Sequence, residues 1–165
     1  PDANAVGDLY QWGRFSDGHQ CRTSNITPTT SSSNQPGHGN FITPGSSSNT
    51  DWRNPQNGSL WQGVNGTNNP CPSGYRMPTE AECDAERLSW LSNDGLGAIA
   101  SPLKLPMGGS RNPFGGISSN LQAWYWCSTI SSPTSRNLYF FNGNTNAQLQ
   151  STGRAYGHSV RCIKD

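Results

Sequence analysis

The stretch AWYWCSTISSPTSRNLYFF, from Ala123 to Phe141, decides the fold of this chain. Its first residues are rich in aromatic side chains and its last residues alternate in polarity, and both patterns are typical of β-strands. We therefore predict one strand over Ala123–Ser128 and a second over Asn137–Phe141. A third strand is predicted from Gly157 to Ile163.

The alternation divides the second strand into two faces. If Leu138 and Phe140 face the core, then Asn137, Tyr139 and Phe141 face the opposite side. Two exposed aromatic residues on one strand face would form an adhesive patch. The alternative is that Tyr139 and Phe141 are covered by the long N-terminal loop.

Outward from this stretch, composition predicts one loop-rich domain over residues 1–165. Only 31% of the residues are apolar and 13% are charged, whereas Gly (19) and Pro (12) are plentiful, so uncharged polar side chains dominate. Residues 23–66 read as a long irregular insertion pinned by a few aromatic anchors. Residues 118–165 form a C-terminal region that is rich in Asn, Ser and Tyr.

The clearest helix signal begins at Thr79. Thr79 fits an N-cap with Glu82 three residues later, which is a capping box, and we predict a helix from Glu80 to Leu91. Short strands are expected over Leu9–Arg14 and Leu103–Pro106. The predicted core comprises Trp12, Tyr75, Leu88, Leu105, Trp126, Leu138, Phe140 and Val160.

Charge and hydropathy exclude two classes of partner. The net charge is +1 and Lys and Arg do not cluster, which argues against nucleic-acid binding. The sequence does not reach the ~18 consecutive apolar residues of a membrane span, so we expect no direct membrane insertion.

The cysteines and histidines carry no metal-ligand spacing. The five cysteines are either small buried residues or form one or two disulfides with one thiol left over. His19, His38 and His158 are expected to be solvated loop residues. We expect Arg14, Arg76, Arg111 and Arg161 to donate to loop carbonyls rather than to take part in catalysis.

Four ordered blocks resemble the Fibrobacter succinogenes major paralogous domain family, which is related to the formylglycine-generating-enzyme type of C-type-lectin fold. The blocks are Gly7–Arg14 (GDLYQWGR), Cys71–Glu82 (CPSGYRMPTEAE), Tyr125–Thr129 (YWCST) and Ser159–Asp165 (SVRCIKD). The resemblance implies an α+β fold of C-type-lectin type, with small antiparallel sheets and one or two helices. If the second block packs beside the terminal strand, Cys71 and Cys162 could be brought together as a disulfide, although the sequence does not set the connectivity.

The ending also resembles the variable proteins of diversity-generating retroelements. In those systems template adenines are mutated during reverse transcription, so Asn codons vary while residues with adenine-poor codons stay fixed. The fixed frame implied here is Tyr125, Trp126, Ser128, Leu138, Phe140, Gly143, Gly157, Val160, Arg161 and Cys162. The ligand-binding variable surface would comprise Trp124, Ile130, Ser132, Asn137, Tyr139, Phe141, Asn142, Asn144, Asn146, Tyr156 and His158. Tyr156 and His158 share strand parity with Val160, so one of them could point inward.

Catalysis is not expected. The formylglycine-generating relatives use a copper-binding cysteine pair near the C-terminus, and here only Cys162 occupies that region. We find no nucleophile with a recognisable base, and we expect no cofactor. A calcium-dependent lectin is also rejected, because Gly37 of Gln35-Pro36-Gly37 supplies no carboxylate for such a site.

These features together predict a ligand-binding display module. It would lie on a phage tail or on a bacterial surface, or it would be secreted. Its partner would be a protein or glycan on a target cell, and homo-oligomeric display would raise avidity. The alternatives are a non-diversified structural or surface domain and a glycan-binding lectin that works without calcium.

Overall fold

The computed structural model describes residues 6–45, 50–118, 121–143 and 146–165. Within these ranges the chain forms two short helices and several small sheets joined by long loops, which confirms the prediction of a loop-rich α+β fold. The elements are β1 (Tyr10–Gln11), β2 (Ile26–Thr27), β3 (Phe41–Ile42), β4 (Tyr75–Arg76), α1 (Glu80–Leu88), α2 (Gly95–Ala100), β5 (Gln122–Ser131), β6 (Thr134–Phe141), β7 (Gln148–Thr152), β8 (Gly157–His158) and β9 (Ile163–Lys164).

The central sheet is antiparallel in the order β5-β6-β7. Trp124 pairs with Tyr139, and Tyr139 pairs in turn with Gln148. On the other side of β5, the segment after β8 continues the sheet, because Trp126 N–H donates to the Ser159 carbonyl and Ser159 N–H donates to the Trp124 carbonyl. β1 pairs antiparallel with β8 and so extends this layer. Two further antiparallel strands, β4 and β9, form a separate pair, and β2 and β3 are parallel.

One face of the central sheet carries a first core beneath the helices. Tyr125, Leu138 and Phe140 pack there with Trp90 and with α1 and α2. The Trp90 ring meets the Phe140 ring edge to face, with centroids 5.3 Å apart. Alternate residues of β5 and β6 supply this face, as the strand period requires.

The opposite face of the sheet carries a second core built from the N-terminal half of the chain. Trp126 packs there with Trp12, Trp52 and Trp61. The Trp52 indole N–H donates to the Trp12 carbonyl at 2.7 Å, and the guanidinium of Arg154 lies 4.6 Å from the centre of the Trp12 ring. The irregular segment 23–66 therefore contributes aromatic anchors that cover part of the sheet.

Arginines hold the loops together, as predicted. Arg14 donates to the carbonyls of His38 and Asn40 at 2.7 and 2.9 Å. Arg111 donates to the Ser24 carbonyl at 2.8 Å, and Arg161 donates to that of Leu103 at 3.2 Å. Arg76 differs, because its main partners are the carboxylates of Glu82 and Asp165.

The predicted elements are partly correct. Thr79 and Glu82 form the predicted capping box, but α1 ends at Leu88, and Asp94 then caps the unpredicted helix α2. The strand predicted over Leu103–Pro106 is wrong, since Lys104 adopts a left-handed conformation there. The strand predicted over Gly157–Ile163 is broken into β8 and β9, and β7 was not predicted at all.

Two predicted core residues are wrong. Leu88 is 68% exposed, because it lies five positions beyond the buried Cys83, a rotation of about 140° around the helix. Tyr75 is 40% exposed on the short β4–β9 pair, and Met77 takes the buried position instead. Val160 packs against the second core while partly exposed. The other five predicted core residues are buried, namely Trp12, Leu105, Trp126, Leu138 and Phe140.

Candidate ligand-binding surface

A row of five aromatic rings runs across one end of the central sheet. We call this set, made of Tyr156, His158, Trp124, Tyr139 and Phe141, the aromatic row. Successive ring centroids along it lie 5.9, 5.8, 4.9 and 5.8 Å apart. Four of the rings are partly exposed, and only the His158 ring is buried. Trp124, Tyr139 and Phe141 therefore form a contiguous, partly exposed aromatic surface, and the buried His158 ring lies between them and Tyr156.

Strand register explains why these rings meet. Trp124 and Tyr139 are directly paired residues of β5 and β6, so their side chains stand on the same face. Phe141 lies two residues further along the same strand and shares that face. Trp126, two residues from Trp124, is fully buried in the second core. The second core thus covers one end of this sheet face. At the other end Tyr139 and Phe141 stay partly exposed.

Glutamine side chains flank the row. The Tyr139 hydroxyl donates to the side-chain carbonyl of Gln122 at 3.2 Å, and burial raises the pKa of Tyr139. Gln148 on β7 pairs with Tyr139 on β6, and its side chain is exposed. Neither glutamine belongs to the surface predicted from the sequence, although Gln122 shares the strand parity of Trp124 and Gln148-Leu149-Gln150 alternates as a strand does.

The structure corrects the placement of His158. Its ring lies 4.3 Å from that of Trp126, stacks on Trp124 and is 1% exposed. Burial lowers the pKa of His158 to about 3, so the imidazole is neutral at physiological pH. The prediction that His158 is solvated and displayed is wrong because the rings of β5 cover it, and the inward orientation allowed by its parity with Val160 is the one observed. His19 is likewise buried, its Nδ1 lying 2.7 Å from an Asp17 oxygen.

The prediction that Asn137 is exposed is also wrong. It faces away from the first core as expected, but it is completely buried. Asn137 pairs with Trp126, at the end of the sheet that the second core covers. Its amide donates to the Thr152 hydroxyl at 2.9 Å. Strand parity predicted the correct face, but it could not predict which part of that face is covered.

Ile130 and Ser132 are exposed but lie away from the aromatic row. Ile130 pairs with Ser135 on β6, four residues from Tyr139, which corresponds to about 13 Å. The β5–β6 turn that contains Ser132 lies against the loop at residues 56–58, where Gln56 donates to the Pro133 carbonyl at 3.0 Å. These two residues therefore do not share one surface with Tyr139.

The remaining predicted surface residues follow Phe141 in the sequence. Asn142 and Asn146 are exposed, and both are close to the row in sequence. Asn144 lies outside the described residues. The displayed set that the structure brings together is therefore Trp124, Tyr139, Phe141 and Tyr156, with Gln122, Gln148 and Asn142 at its border.

Most residues of the predicted frame are buried, and one of them, Cys162, is cross-linked. The structure joins Cys71 and Cys162 in a disulfide across 91 residues. Of the frame residues, Tyr125, Trp126, Ser128, Leu138, Phe140 and Gly157 are buried, whereas Gly143 and Arg161 are exposed.

The described residues contain no group of three or more His, Cys, Asp or Glu side chains able to hold a metal ion. None of the helices in the described ranges is long and apolar enough to cross a membrane. The aromatic row and its neighbours present aromatic faces and amide groups. No protein-family model, curated protein or solved structure matches this chain.

Proposed function

We propose that this chain is a ligand-binding display module with a hypervariable C-terminal surface, similar to the variable proteins of diversity-generating retroelements. The observation that carries this proposal is the aromatic row, of whose five rings four are partly exposed, on a sheet with a separate buried core on each face. Tyr and Trp bring large contact areas at low entropic cost, and amides adapt their hydrogen bonds, as in antibody paratopes.

The meeting of the four sequence blocks supports the proposed C-type-lectin-like fold. β1 of the first block pairs with β8, and β4 of the second block pairs with β9 of the last. β5 of the third block bridges to Ser159 of the last. Blocks far apart in sequence therefore meet along the C-terminal segment 157–164, as expected if they are the signature of one fold.

The separation of frame and display residues supports diversification. The side chains of Tyr139 and Phe141 are partly exposed, whereas their neighbours Leu138 and Phe140 are buried in the first core. Substitution at partly exposed positions away from special features shifts stability little. The displayed positions can therefore vary while the fold is kept.

The proposed partner is a protein or glycan on a target cell, reached from a phage tail or from a bacterial surface. The Cys71–Cys162 disulfide fits an extracellular location, because disulfides persist in oxidising compartments. Homo-oligomeric display would increase avidity. A calcium-independent glycan site is a second candidate, favoured by the Trp124 and Tyr139 rings beside Gln122, since aromatic faces with a few placed polar groups are typical of small-ligand sites.

Diversification is tested by sequencing the DNA around the gene. We expect a reverse-transcriptase gene and a near-copy of the DNA that encodes Trp124–Asp165, differing at template adenines. A flanking region without that repeat would contradict diversification and leave a non-diversified surface domain.

Ligand binding is tested with fluorescently labelled protein on a glycan array and on a panel of intact bacterial cells. The double variant Tyr139→Ser/Phe141→Ser should lose at least tenfold in binding to whichever probe the parent protein binds. Ile130→Ser is the matched control, because Ile130 is exposed at the far end of β5. Equal loss in the control, or none in the double variant, would contradict the aromatic row as the binding surface.

A further inference from the structure

Two cysteines of the first core contact each other through their sulfur atoms. Cys83 in α1 and Cys127 in β5 are both buried, and their Sγ atoms lie 2.8 Å apart. Nonbonded heavy atoms rest at roughly 3.5–4.0 Å, whereas bonded sulfurs are about 2.05 Å apart. The two sulfurs are therefore closer than packing alone would place them.

The backbones around the two cysteines are already fixed to each other. The Ser128 N–H donates to the Pro78 carbonyl at 2.7 Å, and the Glu80 N–H donates to the Thr129 hydroxyl at 2.8 Å. The first turn of α1 is thus bound to the residues directly after Cys127. The two elements are therefore held next to each other, and the sulfurs would have to approach by roughly 0.75 Å to bond.

Burial makes this pair different from a reactive surface thiol. The contact with Cys83, together with burial, raises the pKa of Cys127, so its thiolate is disfavoured once the core has closed. Exchange with an outside disulfide needs a thiolate and access. Oxidation of this pair therefore belongs to folding, before the helix covers the strand.

We propose that Cys83 and Cys127 form a second disulfide, which joins α1 to β5 and leaves the exposed Cys21 as the one free thiol. The reaction is thiol–disulfide exchange with an oxidant that carries a disulfide, either a small molecule such as oxidised glutathione or a folding catalyst. Each cysteine loses its proton and an Sγ–Sγ bond forms. The two electrons reduce the disulfide of the oxidant to two thiols.

This cross-link would secure the strand that carries the display surface. Cys127 follows Trp124 by three residues on β5, and its carbonyl accepts the indole N–H of Trp12 at 2.9 Å. The bond would therefore connect the helix layer to a strand that the second core also holds. The inference does not depend on the proposed ligand-binding function.

The full chain, refolded in a buffer of oxidised and reduced glutathione, tests the proposal. Unfolding in guanidinium with iodoacetamide and without a reductant labels every free thiol, and the intact mass gives the number of labels. We expect a single label and a mass four hydrogens below that of the reduced chain before labelling. Cys21→Ser is the matched control and should take up no label.

Trypsin digestion of the labelled protein identifies the partners. Cleavage after Arg76, Arg87, Arg111 and Arg136 places the two cysteines on the separate peptides 77–87 and 112–136, which should appear joined. Labels on Cys83 and Cys127 would overturn the proposal. A bond from either cysteine to Cys21 would overturn it equally.

Discussion

His158 is the residue whose chemistry departs most from its sequence context. Its flanking residues, Gly157 and Ser159, suggest a polar loop, yet the ring is buried against Trp124 and Trp126. Neither ring nitrogen finds a hydrogen-bond partner among the described residues. Because burial disfavours the charged form, the pKa of His158 falls from 6.5 to about 3.

The lowered pKa of His158 determines how the free energy of unfolding changes with pH. Between pH 6.5 and 3 the unfolded chain binds a proton at His158 that the folded chain does not. The stabilising contribution is therefore present above pH 6.5 and is lost as the pH falls towards 3.

We predict that His158→Phe weakens the acid response of the protein. The ring packing is kept and no side-chain hydrogen bond is lost. Between pH 7 and 4.5 the free energy of unfolding should fall by roughly 2 kcal/mol less in the variant than in the parent. Urea unfolding at the two pH values measures this difference.

His38→Gln is the matched control, because it removes an exposed histidine instead of a buried one. Part of the slope will persist in His158→Phe, since burial also lowers the pKa of His19 to about 4. An unchanged pH profile in His158→Phe would show that His158 is not buried as a neutral ring.

At the scale of single elements, α1 depends on the capping box at its start. The Thr79 hydroxyl accepts from the Glu82 N–H, and the Glu82 carboxylate accepts from the Thr79 N–H. The same carboxylate binds Arg76, which lowers the pKa of Glu82 to about 2. One local motif therefore connects α1 to β4.

We predict that Thr79→Ala lowers the free energy of unfolding by about 1 kcal/mol. The variant leaves the Glu82 N–H in the first turn of α1 without its side-chain acceptor. Thr79→Ser, which keeps the hydroxyl, should stay close to the parent in thermal unfolding. Equal loss in both variants would show that the threonine methyl group, and not the cap, stabilises α1.

The elements also show which parts of the fold the sequence could predict. The capping box and the parity of β5 and β6 are local patterns, and both were correct. α2 has only six residues, too few to establish helical periodicity. β7 and the broken C-terminal strand depend on partners elsewhere in the chain, so sequence patterns could not define their limits. The same holds for the site, where parity gave the face of Asn137 but not the second core that covers it.

At the scale of the whole molecule, the Cys71–Cys162 disulfide connects the second and last sequence blocks across 91 residues. A cross-link over so long a loop restricts the unfolded chain strongly, and a stabilisation of roughly 2–4 kcal/mol is typical.

We predict that Cys71→Ala/Cys162→Ala lowers the melting temperature by roughly 10 °C. Differential scanning calorimetry without a reductant measures the shift. Cys21→Ser is the control, because Cys21 is an exposed free thiol, and it should melt like the parent. A double variant that melts with the parent would show that this disulfide adds nothing to stability.

The central claim is that a display surface rests on a frame that does not depend on it. Leu138 and Phe140 are buried in the first core, whereas Tyr139 and Phe141 on the same strand are partly exposed. The matched double variants Tyr139→Ser/Phe141→Ser and Leu138→Ser/Phe140→Ser therefore change the two faces of one strand separately.

The most direct measurement compares the melting temperatures of these two variants. We predict a fall of less than about 5 °C for Tyr139→Ser/Phe141→Ser, because substitutions outside the core cost little. For Leu138→Ser/Phe140→Ser we predict that the cooperative transition is lost, because each core truncation costs roughly 2–5 kcal/mol. Loss of cooperative unfolding in the first variant would contradict the claim.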